Sequence, residues 1–116
     1  MTEAADARTE DQTRFADEAE EFLQYLGEIR NLSPQTVRAY RTDLAAYIAW
    51  TKREGVLPHE VTHRQLRSYL LELKRAGYAT TTIDRHLSAL RSCYKWLLGE
   101  GKIAADAAEA VSGPKR

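Results

Sequence analysis

Residues 32–50, LSPQTVRAYRTDLAAYIAW, leave this chain little choice of structure. Val37, Tyr40, Leu44, Tyr47, Ile48 and, one residue further on, Thr51 recur at spacings of three and four, which is one face of a helix. Ser33 stands where its hydroxyl can cap the first turn, and Pro34 where a missing N–H costs nothing. Arg38, Arg41 and Lys52 fall along one flank of the stripe, so an apolar seam carries a basic edge. Such a helix is first of all a buried element with a solvated rim.

Three more stretches carry the same spacing. Phe15, Ala19, Phe22, Leu23, Leu26 and Ile29 mark the buried face of a first helix over residues 14–30, whose early turns are crowded with the acids that a helix N-terminus favours. The second helix, opened by Ser33, stops before Gly55. Thr62 with Gln65 three residues on reads as a capping box opening a third helix over residues 62–76, with Leu66, Tyr69, Leu70 and Leu73 inward. Thr80 or Thr81 is expected to cap a fourth helix running to about Leu98, with Ile83, Leu87, Leu90, Tyr94, Leu97 and Leu98 on one face. Residues 106–111 have the composition for a last helical turn or two. Nothing alternates with period two, so the expectation is an all-α four-helix bundle, to which that stretch could add a short fifth helix.

Length and composition sharpen this. At 116 residues there is one domain, read as a disordered acidic tail over 1–13, a helical body over 14–111 and a linker over 112–116. No apolar run approaches the roughly 20 residues that span a bilayer, so no membrane is expected. The acidic N-terminus is unlike a signal peptide. A lone cysteine, Cys93, sits near the apolar face of its helix and reads as a core residue in a reducing, cytoplasmic setting.

The formal net charge is zero, but residues 1–30 hold three arginines against nine acids, while residues 31–116 hold fourteen Lys and Arg against eight acids. A binding face feels the local field, not the total. His59, His63 and His86 are scattered, and no Gly-rich phosphate loop or catalytic constellation is visible, so no metal, cofactor or catalytic residue is expected. One face of the fourth helix stands out. Thr81, Arg85, Ser88, Arg91, Ser92 and Lys95 share a side, with Asp84 at its edge. Hydroxyls and guanidinium groups are the donors that phosphate oxygens and base edges accept. Thr36, Arg38 and Arg41 of the second helix are the natural additions, and Lys74 and Arg75 end the third. A nucleic acid is the partner these faces suggest.

The pattern then becomes specific. Phe22-Leu23, then Ser33, Thr36, Tyr40 and Asp43-Leu44, then a Thr-rich cap followed by Leu87-Ser88-Ala89-Leu90-Arg91, Tyr94 and Leu97, resembles the N-terminal core-binding domain of tyrosine site-specific recombinases, the Xer and phage-integrase family. The likeness covers everything from Phe15 onward. It implies a SAM-like fold, and a clamp on double-stranded DNA completed by a separate catalytic domain, with the second and fourth helices facing the major groove. Thr36, Arg38, Arg41, Thr81, Arg85, Ser88, Arg91, Ser92 and Lys95 are then the candidate contacts, with Tyr40 read as core first. It also implies that this chain performs no strand cleavage itself, since the family's catalytic groups lie in the other domain, to which SGPKR would be the linker. Other recombinase subunits in a tetramer on DNA are implied as partners, and the isolated fragment as a monomer. The alternative is a helical protein–protein interaction module without direct DNA contact, resting on the acidic first helix and on Trp50, which lies off the main seam.

Overall fold

The computed structural model describes the backbone of residues 2–113 and the side chains of residues 7–113. Pro114, Lys115 and Arg116, the end of the expected linker, lie outside the described residues. Every regular element among those described is helical: α1 (Thr2–Glu28), α2 (Pro34–Glu54), a 3-10 turn at Pro58–Glu60, α3 (His63–Arg75) and α4 (Thr80–Gly99). The all-α expectation of four helices holds. The chain divides into two compact units, Met1–Glu60 and Val61–Arg116.

In the first unit α1 packs on α2. Phe15, Phe22, Leu23 and Leu26 are buried on α1, and Leu44, Tyr47 and Trp50 on α2. Phe15 meets Tyr47 edge-on at 5.9 Å, and Trp50 stacks on Tyr47 at the same distance. Trp50 is therefore core, which removes one of the two supports for a protein-binding module. The α2 boundaries follow the sequence closely. Ser33 Oγ accepts the Thr36 N–H at 3.1 Å, and Gly55 closes the helix in the left-handed region at φ 68°.

The start of α1 differs from expectation. The helix begins at Thr2, through the stretch read as a disordered tail. Polar contacts hold its first half. The Gln12 amide donates to the carbonyls of Thr51 at 3.0 Å and Val56 at 3.1 Å. His59 sits between two α1 carboxylates, with Nδ1 2.8 Å from Asp11 Oδ1 and Nε2 against Glu18 Oε1. Gln12 and Glu18 are buried, so these bonds are made away from water. The far end of α1 departs too. The helix stops at Glu28, Asn31 takes a left-handed φ of 57°, and Ile29, expected in the core, is 71% exposed.

In the second unit α3 packs on α4. The capping box forms in both directions, with Gln65 N–H on Thr62 Oγ1 at 3.1 Å and Thr62 N–H on Gln65 Oε1 at 2.9 Å. Leu66, Tyr69, Leu70 and Leu73 are buried, as are Ile83, Leu87, Leu90, Tyr94 and Leu97, with Cys93 fully so. Leu98 is not: at 41% exposed it has rotated past the seam, one turn beyond Lys95. Neither Thr80 nor Thr81 caps α4. Ala79 holds the cap position with ψ 149° and no side-chain bond, and its carbonyl takes the Ile83 N–H at 3.0 Å. The threonines instead form the first helical turn. Residues 106–111 make hydrogen-bonded turns, with Ala108 N–H on Asp106 Oδ1 at 2.9 Å and Val111 N–H on the Ala108 carbonyl at 3.2 Å. The short fifth helix that this stretch could have added does not form among the described residues.

Candidate nucleic-acid interface

The candidate residues fall in both units, Thr36, Arg38 and Arg41 in the first and Thr81 to Lys95 in the second. On α4 the arrangement follows from the seam. Ile83, His86, Leu87, Leu90, Cys93, Tyr94 and Leu97 are buried, so the positions opposite them must be exposed. Thr81, Arg85, Ser88, Ser92 and Lys95, at steps of four, three, four and three, form one stripe along that side, with Ser92 half-buried and the others exposed. From Thr81 to Lys95 the stripe runs about 21 Å at the α-helical rise. No side chain caps the first turn of α4, so its N–H groups point out beside Thr81.

Arg91 belongs to the next row and is differently employed. Its guanidinium donates to the backbone carbonyl of Val111, a fully buried residue. Arg91, Lys95 and Leu98 also line a cleft of about 380 Å³ with Asp106 and Glu109, so two acids share the surroundings of these cations.

The α2 set is less uniform. Arg38 is exposed and enters no ion pair among the described residues. Arg41 is paired with the carboxylate of Glu20 on α1, both side chains about half exposed. That hydrogen bond raises the guanidinium pKa further above its ordinary value. Thr36 is half-buried, and its hydroxyl accepts from Ser33 Oγ at 3.0 Å as part of the cap. The tyrosine read as core, Tyr40, is half-buried.

Sequence reasoning named only Lys74 and Arg75 on α3, but Arg64 and Arg67 are exposed as well. Arg67 and Lys74 flank a groove of about 200 Å³ floored by Leu70 and Ile83, with Leu71, 45% exposed, at its lip. The spacing 64, 67, 71, 74, 75 was the available signal. No helix among the described residues is long and apolar enough to cross a membrane.

Comparison with known proteins agrees with the resemblance seen in the sequence. The family described as the phage integrase N-terminal SAM-like domain matches residues 19–101. A tyrosine recombinase XerC of Roseiflexus castenholzii is 34% identical over 100 residues, 85% of this chain and 32% of that protein. A tyrosine recombinase XerD of Chlorobaculum tepidum is 38% identical over 96 residues, 83% of this chain and 32% of that protein. A tyrosine recombinase XerC of Xanthomonas campestris is 40% identical over 97 residues, 83% of this chain and 30% of that protein. The chain thus spans about a third of the length of the curated relatives it matches. No solved structure matches it. With its four helices and a family match over most of its length, the chain belongs to the phage-integrase N-terminal SAM-like domain family.

Proposed function

We propose that this chain is the DNA-gripping domain of a tyrosine recombinase acting in site-specific recombination. The α4 stripe is its main contact and Arg38 of α2 its best supported second one. The observation that carries the reading is the stripe itself: three hydroxyls, Arg85 and Lys95 on the face opposite a closed apolar seam, in a chain whose relatives are named recombinases. A stripe about 21 Å long exceeds the roughly 12 Å width of the major groove, so its ends reach phosphates on both walls while its middle meets base edges. The open N–H groups of the first turn suit a phosphate. Cutting and rejoining of strands is assigned to parts of a relative-length protein outside the matched third, and other recombinase subunits are the further partners. Cytoplasmic action follows from that role.

Arg41 and Arg91 are not counted as phosphate contacts on this reading, because each already serves an internal acceptor. Three cations are left, Arg38, Arg85 and Lys95, which sets a log–log salt slope of roughly −3 at about −0.9 per contact. The experiment is a duplex titration of wild type and of Arg85→Glu with Lys95→Glu. Loss of binding with an unchanged melting temperature supports the stripe. Binding that survives the double reversal refutes it.

A further inference from the structure

Residues 101–113, of which only the last two belong to the expected linker, turn back along α4. Gly101 takes φ 72°, and the N–H groups of Gly101 and Lys102 bond to the carbonyls of Leu98 at 3.1 Å and Leu97 at 2.9 Å, reversing the chain at the end of α4. The returning segment is anchored by apolar side chains: Ile103 is 8% exposed, and Ala108 and Val111 are 0% exposed. At its far end a Cβ on Gly113 would stand 2.8 Å from Asp84 Oδ1 and 3.5 Å from Leu87 Cδ2. Gly113 is therefore pressed against the second turn of α4. Fifteen residues separate Gly99 from Asp84 on that helix, about 22 Å at the helical rise, and the segment recovers nearly all of it.

Midway along this path, Arg91 donates to the carbonyl of Val111. A carbonyl on a fully buried residue needs such a donor, and the guanidinium fork supplies it from a fixed point on a rigid helix. We infer that Arg91 is a positioning residue: it docks residues 103–113 along α4, so that the chain leaves the domain beside Asp84 instead of at the C-terminal end of the helix. This goes beyond the DNA reading and rests on it in one respect only, that the exit then lies next to Arg85 and Thr81, at one end of the proposed contact stripe. Asp106 and Glu109 of the docked segment lie in the cleft shared with Arg91 and Lys95.

The test uses the full 116-residue chain with a nitroxide on Ser112→Cys. Cys93 is fully buried and stays unlabelled. In the otherwise wild-type chain, the label is expected to broaden amides around residues 84–88. Arg91→Met removes the donors and keeps much of the stem. It should abolish that focused broadening and speed amide exchange at Val111 at least tenfold, with residues 87–97 protected as before. Gly113→Ala, whose Cβ would strike the Asp84 carboxylate, should weaken the broadening without accelerating exchange at Val111. Unchanged broadening and exchange in Arg91→Met overturn the inference. Should Arg91→Met lose α4 protection altogether, Arg91→Lys, which keeps one donor, decides: focused broadening intermediate between wild type and Gly113→Ala supports docking by Arg91, and wild-type broadening overturns it. With a duplex present, the salt slope of Arg91→Met should equal that of wild type, whereas a slope reduced by about 0.9 marks Arg91 as a phosphate ligand and overturns the assignment. Absence of any duplex binding would refute the proposed function and leave the label experiment to decide the docking.

Discussion

The two units handle charge in opposite ways. Residues 1–60 hold seven Lys and Arg against twelve acids, and residues 61–116 hold ten against five. In the first unit Arg14 is paired with Asp11, Arg41 with Glu20 and Arg53 with Glu54, and His59 sits between Asp11 and Glu18. In the second unit, Lys95 enters no ion pair among the described residues, and Arg91 spends its guanidinium on a carbonyl instead of an acid. A basic helix flank read from sequence is thus two different things. On α2 one of its arginines is a brace to the neighbouring helix. On α4 the flank is a face. Counting cations locates candidates, and the acceptors within reach decide which of them a phosphate can claim.

The comparison can be broken most forcefully at its hydrophobic foundation. Leu90 is 2% exposed opposite the stripe. Leu90→Asp should cost several kcal/mol through a buried unpaired charge and unfold the second unit, as read by far-UV circular dichroism. A folded variant would mean that the face assigned to DNA is the wrong one.

Next comes the polar anchor of the first unit. His59→Ala takes away the imidazole whose two ring nitrogens contact Asp11 and Glu18, leaving those largely buried carboxylates a partner short, and should destabilise by about 1–3 kcal/mol. Hydrogen exchange should show the loss concentrated in residues 7–18. If the variant keeps wild-type protection there, the early turns of α1 are held by something other than these bonds.

Smaller in free energy, but sharper in meaning, is the contrast between Lys95 and Arg41. Lys95→Gln should weaken duplex binding and lower the magnitude of the salt slope by about 0.9. Arg41→Gln breaks a half-exposed pair worth roughly 0–1 kcal/mol and should leave the slope unchanged. Equal slopes lost at both positions would erase the distinction between brace and face.

Much of this fold was legible because local chemistry announced it. Ser33-Pro34, Gly55 and the Thr62–Gln65 box set helix ends through groups within a few residues of one another, and the seams of α3 and α4 repeat at helical spacing. The first half of α1 was illegible for the opposite reason. Its bonds from Gln12 and Asp11 reach partners 39 to 48 residues away and are polar, so apolar periodicity passes over them. Ala79 as the α4 cap was hidden because a backbone with ψ 149° needs no capping side chain, while three threonines nearby advertised one. Of the contact set, the stripe could be read from spacing alone. The commitments of Arg41 to Glu20 and of Arg91 to Val111 could not, since both depend on where distant segments return.

The most direct measurement is a titration of the isotopically labelled chain with a short duplex at low and moderate salt, followed by amide and guanidinium resonances. The account predicts shifts concentrated over residues 81–95 and near Arg38, weakening as salt rises, with the Arg41 and Arg91 side chains little changed. Shifts confined to α1, or none at low salt, would contradict it and make a protein partner the better reading.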